Sequence, residues 1–290
     1  MTSLREAVRD AVRSLEEAGI DSAEFDAVAL AAHLLRTSTA EVHKLMIVGA
    51  PAPAGFDDLV DERARRVPLQ HLTGKAGFRR LELSVGPGVF VPRFETELVA
   101  GLAITHLISH SPRGARSLVS PVVVDLCTGS GAIALAIKDE VPAAEVHGVE
   151  LSDLAHAWAT RNRDDLGLEV DIRLGDATLA FPDLEEGVDV VVSNPPYIPV
   201  GAVPNDPEVR DHDPEVALYG GSSDGLRIPL EIAARAAVLL RAGGFLVMEH
   251  ADVQGDSMPT ALRATGLWQD IQDHSDLNGR PRAVTAVRTH

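Results

Sequence analysis

From residue 94 onward, the sequence alternates short runs of β-branched and other apolar residues with longer stretches of helical periodicity. Buried strands that are joined by helices lie parallel in a single sheet. The alternation therefore predicts an α/β fold with a Rossmann-like, doubly wound sheet of seven strands. The strands are expected at Val122–Leu126, Glu145–Glu150, Val170–Asp176, Val188–Asn194, Gly244–His250, Trp268–His274 and Ala283–Arg288.

The first 75 residues follow a helical period instead. Leu4, Val8 and Leu15 recur at helical spacing, and a second helix is expected to bury Phe25 and Val28. Two further helices follow before residue 68. Because helices this short need one another to bury their apolar faces, we predict a small N-terminal bundle.

Residues 76–92 differ from both neighbouring regions. Leu81, Leu83 and Val85 alternate with Glu82 and Ser84, which predicts a half-buried strand, and Gly86–Gly88 predicts a turn after which Val89–Val91 continue the hairpin. We therefore divide the chain into a helical domain over residues 1–75, a β-hairpin linker over 76–92 and an α/β domain over 93–290.

Composition limits the possible partners. The chain has 43 acidic and 26 basic residues, a net charge of −17, and most of the acidic excess follows residue 75. Phosphate backbones are bound largely by cationic side chains, so nucleic acid is not an expected partner. No apolar run approaches the roughly 18 residues of a membrane helix, and Met1–Asp10 has no apolar signal segment. Cys127 is the only cysteine, which excludes an intrachain disulfide. We expect a cytoplasmic protein without a membrane partner.

A glycine-rich turn follows the first strand of the α/β domain, at Cys127, Thr128, Gly129, Ser130 and Gly131. Its glycines permit positive φ angles and close approach of the backbone to a ligand. The next helix begins directly afterwards, so its N-terminal amides face whatever binds there. The same spacing also fits a dinucleotide-binding pattern, which leaves an NAD-dependent oxidoreductase open.

Acidic residues end three successive strands, at Asp125, Glu150 and Asp176. A carboxylate in the position of Glu150 can accept hydrogen bonds from ribose hydroxyls. Three carboxylates suit a nucleoside but would repel a pyrophosphate. They indicate adenosine bearing a cationic group, which favours S-adenosyl-L-methionine over NAD.

Asn194, Pro195, Pro196 and Tyr197 come directly after the fourth strand of this domain. Two prolines hold a rigid backbone that cannot donate hydrogen bonds. The Asn194 side-chain oxygen and the Pro195 carbonyl can together hold a planar NH2 group, orient its nitrogen and stabilise the positive charge that grows there. The Tyr197 ring can pack on the flat substrate group. Adenine, cytosine and glutamine all carry such a nitrogen, so the motif does not choose among them.

Two other features of the sequence bear on function. His106 and His110 lie four residues apart on a predicted helix, but no third ligand has matching spacing, so no metal site is expected. Residues 195–223 show no clear strand or helix, and six prolines fall between 195 and 214. A connection this long inside a compact domain is usually functional.

Several segments together resemble one family of class I S-adenosylmethionine-dependent methyltransferases. The resemblance is to the peptide chain release factor glutamine methyltransferase family, whose members methylate the side-chain amide nitrogen (N5) of the glutamine in the Gly-Gly-Gln loop of class I release factors. It is carried by residues 125–131, 149–152, 175–178, 193–199, 66–74, 87–97, 213–221, 224–226 and 276–282.

The resemblance implies roles for individual residues. Cys127, Thr128, Gly129, Ser130, Gly131, Glu150 and Asn194 would bind S-adenosyl-L-methionine, and Asp176 and Ala177 would border its adenine. Asn194, Pro195, Pro196 and Tyr197 would hold the substrate glutamine, with Asn194, Pro195 and Tyr197 acting in the transfer itself. The N-terminal domain would dock the release factor, and a monomer is expected. The alternative is an adenine or cytosine N-methyltransferase acting on DNA or RNA, against which the acidic charge argues.

Overall fold

The computed structural model describes residues 2–110 and 120–290. The chain forms two compact units. The first comprises Met1–Lys75, Val85–Pro87 and Pro204–His212, and the second comprises Ala76–Ser84, Gly88–Val203 and Asp213–His290. Among the described residues, no helix combines the length and the apolarity that a bilayer crossing requires.

Five helices form the first part of the chain. They are α1 (Leu4–Glu17), α2 (Ala23–Leu35), α3 (Thr39–Ile47), α4 (Phe56–Ala64) and α5 (Leu69–Thr73). Ser3 begins α1 through a capping box: its hydroxyl accepts the N–H of Glu6, whose carboxylate accepts the N–H of Ser3. Leu15 and Leu30 are fully buried in the bundle, whereas Phe25 is 64% exposed, so its predicted burial is wrong. Alanines of α2 take the core positions instead, which lets the helices approach closely.

Arg63 is a buried charge in this unit. Its Nε donates to Asp26 Oδ2 at 2.7 Å, and its Nη1 donates to Glu208 Oε1 at 2.6 Å and to the Val67 carbonyl at 3.2 Å. Glu208 belongs to a short helix, α9 (Pro207–His212), in the stretch where sequence patterning gave no helix. Removing one partner of such a buried pair typically costs about 3–5 kcal/mol, because the remaining charge is left without compensation.

The two-stranded sheet consists of β1 (Lys75–Phe78) and β2 (Leu81–Ser84). Its turn lies at Arg79 and Arg80. The chain also turns at Pro87 and Gly88, where Gly88 has a φ of 88°, but Val89–Val91 form no strand, so the predicted returning strand is wrong. Arg79 takes a φ of 52°. Its N–H donates to Glu97 Oε1 at 2.9 Å, and its Nε donates to Glu140 Oε1 at 2.5 Å. These tertiary contacts hold a non-glycine residue in the left-handed region, which no local sequence signal announces.

The large sheet confirms the predicted seven-stranded α/β fold. Its strands are β3 (Val122–Leu126), β4 (Glu145–Glu150), β5 (Val170–Leu174), β6 (Val188–Ser193), β7 (Leu240–Glu249), β8 (Trp268–Ser275) and β9 (Pro281–Arg288). The order is β5-β4-β3-β6-β7-β9-β8. Strands β3 to β7 pair in parallel, and β9 pairs antiparallel with β7 and β8. The helices of this part are α6 (Thr96–His110), α7 (Ala132–Glu140), α8 (Asp153–Leu166), α10 (Arg227–Leu239) and α11 (Ser257–Ala264).

Parallel pairing places the carboxyl ends of the strands along one edge. Leu126 of β3 pairs with Val149 of β4 and with Ser193 of β6, and Ser193 pairs with Met248 of β7. The residues that follow these positions therefore lie at the same edge. Because β4 and β6 lie on opposite sides of β3, the topology switches between β3 and β6, which is where open α/β sheets bind ligands.

Candidate active site

The glycine-rich turn leaves β3 with an unusual backbone. Cys127, Gly129 and Gly131 have φ angles of 70°, 58° and 85°. A Cβ on Gly131 would lie 2.9 Å from Leu135 Cδ1, so only glycine fits there without displacement. A Cβ on Gly129 would meet no atom within 4 Å, which means that the space beside the turn is open. The turn therefore combines a tight base with an accessible side.

The carboxylate of Glu150 holds this turn from the neighbouring strand. Its Oε2 accepts the N–H of Gly129 at 2.8 Å, and its Oε1 accepts the N–H of Ser152 at 2.8 Å. The Thr128 N–H donates to the Val149 carbonyl at 2.9 Å. Each carboxylate oxygen has two lone pairs, so Glu150 keeps acceptor capacity for ligand hydroxyls.

Asp125 supports the turn from beneath. Its side chain is fully buried, and its Oδ2 accepts the Thr128 hydroxyl at 2.6 Å and the Ala134 N–H at 3.2 Å. Burial raises the pKa of this carboxyl to about 7, and the charge of Glu150 adds to the shift. Burial also raises the pKa of the Cys127 thiol, so the thiol stays protonated. Cys127 is accordingly a packing residue of the turn and not a nucleophile.

Asp176 and Ala177 follow β5, which ends at Leu174, two residues before the predicted end. Asp176 is exposed, and its Oδ1 accepts both the N–H and the hydroxyl of Thr178, at 2.8 and 2.7 Å. Ala177 is buried against the apolar cluster of β3 and β4. The structure thus places both residues at the ligand-binding edge of the sheet.

The Asn-Pro-Pro-Tyr motif begins where β6 ends. Asn194 is half-buried, and its Nδ2 donates to Thr96 Oγ1 at 3.2 Å, which leaves Oδ1 as a free acceptor direction. The Tyr197 hydroxyl donates to Glu249 Oε1 at 3.0 Å. Burial raises the pKa of Tyr197, and the negative charge of Glu249 adds to this, so the phenol stays a neutral donor.

Backbone contacts make the motif rigid. The Tyr197 carbonyl accepts Gln254 Nε2 at 3.0 Å, and the same amide donates to the Asp224 carbonyl at 2.8 Å. Gly225 has a φ of +74°, and a Cβ there would lie 2.1 Å from the backbone carbonyl oxygen of Tyr197. A Cβ on Gly220 would lie 2.0 Å from the Gly225 oxygen. These glycines allow the segment after the long loop to press directly against the motif.

The histidine pair of α6 has a packing role. The His106 ring stacks on Phe245 with ring centroids 4.0 Å apart, and on His110 at 4.1 Å. Burial lowers the pKa of His106 to about 4. Within residues 2–110 and 120–290, no set of three His, Cys, Asp or Glu side chains is arranged to hold a metal ion.

Sequence reasoning missed Thr96, Glu249, Gln254 and Arg282. Glu249 had the clearest signal, since it ends a buried strand as Asp125, Glu150 and Asp176 do. Thr96 lies within the resembling segment 87–97, but no pattern there assigns it a role, and its contact with Asn194 reveals one. Gln254 donates to the Tyr197 and Asp224 carbonyls, and the charge of Arg282 lowers the pKa of Glu249, in each case across a long separation in sequence.

Two family models match the chain: the PrmC N-terminal domain over residues 6–74 and the Methyltransferase small domain over residues 103–204. The Release factor glutamine methyltransferase of Streptomyces coelicolor is 49% identical over 99% of this chain and 98% of its own length. The 4-amino-L-phenylalanine/4-methylamino-L-phenylalanine methyltransferase of Streptomyces pristinaespiralis is 39% identical over 99% of this chain and 96% of its own length.

Among solved structures, the T. thermophilus 16S rRNA N2 G1207 methyltransferase in complex with AdoMet and guanosine matches with a TM-score of 0.52 at 21% identity. The match covers 74% of this chain and 49% of that one, and it shows a shared fold. Fold, turn and motif together define an α/β methyltransferase. The chain belongs to the release factor glutamine methyltransferase family. The family predicted from the sequence motifs is therefore confirmed.

Proposed function

We propose that this enzyme transfers a methyl group from S-adenosyl-L-methionine to the side-chain amide nitrogen of the glutamine in the Gly-Gly-Gln loop of class I release factors. One observation carries the proposal: the Asn194 amide donates through Nδ2 to Thr96, so that its oxygen is available as an acceptor, at the strand end next to the glycine-rich turn. The full-length similarity to a release factor glutamine methyltransferase supports the choice of substrate over adenine or cytosine.

The residues of the turn fit an adenosine-bearing sulfonium. The open side at Gly129 admits a ligand, and Glu150 retains lone pairs for ribose hydroxyls. Asp176 and Ala177 lie at the adjacent strand end, and the carboxylates of this edge disfavour a pyrophosphate. S-adenosyl-L-methionine supplies a methyl group on a positively charged sulfur.

The motif residues orient the accepting nitrogen. The Asn194 Oδ1 and the Pro195 carbonyl each accept one hydrogen of the glutamine NH2 group, which fixes its plane. Both oxygens face the charge that grows on nitrogen during transfer, so they stabilise the transition state more than the ground state. Pro196 keeps the backbone stiff, and Tyr197 is anchored through Glu249 so that its ring borders the substrate group.

The N-terminal helices, residues 1–75, are the proposed docking domain for the release factor. Phe25, Ile47 and Val48 of this unit expose 64%, 73% and 76% of their surface, and exposed large apolar side chains favour contact with a protein partner. Changing all three to serine should raise KM for the release factor about tenfold and leave cofactor affinity unchanged. We place the enzyme, acting as a monomer, in the cytoplasm with its substrate.

Incubation with labelled cofactor tests the function. A class I release factor should gain one methyl group on its loop glutamine, located by mass spectrometry, and a release factor with that glutamine changed to alanine should gain none. Equal labelling of both proteins rejects the assignment. Parallel reactions with DNA, RNA and 4-amino-L-phenylalanine show whether the same pair of acceptors takes other planar amino groups.

A further inference from the structure

Two buried side chains beside the motif do not touch the proposed substrate position. Thr96 is the first residue of α6 and is 4% exposed, and Glu249 is the last residue of β7 and is 2% exposed. Asn194 Nδ2 donates to Thr96 Oγ1, and the Tyr197 hydroxyl donates to Glu249 Oε1. The first and last residues of the Asn-Pro-Pro-Tyr motif are thus each tied to one of these two side chains.

The Thr96 hydroxyl is also near enough to the Glu249 carboxylate to lower the pKa of that carboxyl. Burial is the largest influence on this carboxyl and raises its pKa to about 7, while Thr96 is the strongest of the groups that lower it. Oε2 of Glu249 meets no donor at hydrogen-bonding distance among the described residues, so acceptor capacity remains for the Thr96 proton.

We propose that Glu249 sets the hydrogen-bond polarity of Thr96, and that Thr96 thereby fixes the Asn194 amide with its oxygen toward the substrate. Thr96 and Glu249 are positioning residues under this proposal, which rests on the proposed function because it concerns the acceptor that holds the glutamine amide.

The two ends of an amide side chain have similar shapes. The oxygen and the NH2 group of asparagine are nearly equal in size, so a flip of the Asn194 side chain costs little in packing and would present a donor to the substrate. A hydroxyl accepts or donates, so Thr96 alone does not choose between the two orientations. An ionised carboxylate only accepts. When the ionised Glu249 accepts a hydrogen bond from the Thr96 hydroxyl, the Thr96 oxygen is left as an acceptor, and only the NH2 end of Asn194 satisfies it.

Ionisation of Glu249 therefore decides the orientation. The charged and titratable groups that act on it are Arg282 and Tyr197, which favour the ionised form, and Glu95, which opposes it. Protonation as the pH falls through about 7 gives Glu249 a donor of its own. The Thr96 oxygen can then accept a hydrogen bond from Glu249, and its hydroxyl is free to donate to the oxygen of Asn194. Asn194 therefore no longer prefers one orientation of its amide.

Three variants test the proposal with the full chain and the release factor as substrate. Glu249→Gln keeps the shape but adds a donor, Thr96→Val removes the hydroxyl, and Thr96→Ser restores it. We expect Glu249→Gln and Thr96→Val to lower kcat about 10–100-fold, the usual effect of losing a residue that orients a reacting group's partner. Thr96→Ser should stay within about threefold of the wild type, and calorimetry with S-adenosylhomocysteine should give unchanged affinity for all three.

The pH profile separates positioning from a merely structural role. The wild-type kcat should fall as the pH drops through about 7, and this fall should be smaller in Glu249→Gln. Asp125, whose pKa is also raised to about 7, is present in both proteins, so it does not account for a difference between their profiles. Provided that the wild-type enzyme labels the release factor, either of two results overturns the proposal. One is a Glu249→Gln variant with unchanged kcat and pH profile, and the other is a Thr96→Ser rate equal to that of Thr96→Val. If Thr96→Val fails to fold, the Glu249→Gln profile still decides. Absent wild-type labelling refutes the proposed function instead.

Discussion

The carboxylate of Glu150 accepts the backbone N–H of Gly129 at 2.8 Å, so the end of β4 fixes the turn that follows β3. Glu150→Ala removes this contact and the proposed acceptor for ribose hydroxyls together. Hydrogen bonds to charged groups contribute about 1.5–3 kcal/mol, so the dissociation constant of S-adenosylhomocysteine should rise roughly 10–150-fold in calorimetry. Glu145→Ala, at the exposed start of the same strand, is the matched control and should bind normally. Equal affinities of the two variants would contradict the role of Glu150.

Asn194→Ala removes one of the two proposed acceptors for the substrate amide. Because this interaction strengthens as charge grows on nitrogen, kcat should fall about 10²–10³-fold, the range seen when one positioned polar group at a transition state is lost. Single-turnover labelling measures the effect, and calorimetry confirms that the cofactor still binds. A decrease under about fivefold would show that Asn194 does not act in the transfer.

Gly225→Ala places a methyl group 2.1 Å from the carbonyl oxygen of Tyr197. Gly279→Ala is the control, because Gly279 has a similar positive φ and an added Cβ there would meet no atom within 4 Å. Both variants incur the left-handed cost of about 1–2 kcal/mol. Only Gly225→Ala adds overpacking, typically about 1–3 kcal/mol more, and displaces the motif. Gly225→Ala should therefore have a lower free energy of unfolding in urea and a lower rate of methyl transfer than Gly279→Ala. Equal stability and equal rates in the two variants would refute the close approach.

Asp125 makes stability depend on pH. Its pKa in the folded protein, about 7, lies above the ordinary value of an aspartate, 3.8, so the folded state holds the proton more tightly than the unfolded state does. Stability from this residue is present at low pH and is lost as the pH rises from about 4 to 7. Asp125→Asn removes the titrating group. As the pH rises over this range, the free energy of unfolding of the variant should therefore increase relative to that of the wild type, by on the order of 4 kcal/mol at most. Urea unfolding of both proteins across pH checks this, and a pH-independent difference would contradict it.

The strands and the site motifs were predictable because their signals are local. A buried run such as Val122–Leu126 followed by glycines reports a strand and a turn without knowledge of the rest of the chain. The turn at Arg79 was not predictable, because contacts with Glu97 and Glu140 hold it.

The same distinction applies to the active site. Residues 127–131 and 194–197 carry recognisable patterns, whereas Thr96 becomes significant only when α6 packs beside β6. The predicted burial of Phe25 was wrong for a related reason. An apolar residue at helical spacing predicts burial, but the small side chains Ala27 and Ala31 form the face of α2 that meets its neighbours. Side-chain volume decided the packing there, and periodicity alone does not measure volume.

The pairing of Arg63 with Asp26 and Glu208 limits how the protein can be engineered. A chimaera that grafts the first 75 residues of one family member onto another would leave Glu208 facing a foreign helix, since Pro204–His212 belongs to the same compact unit. A working graft must transplant both stretches of sequence. For the same reason, truncation is a poor way to ask what the amino-terminal helices do, and surface substitutions are the sounder approach.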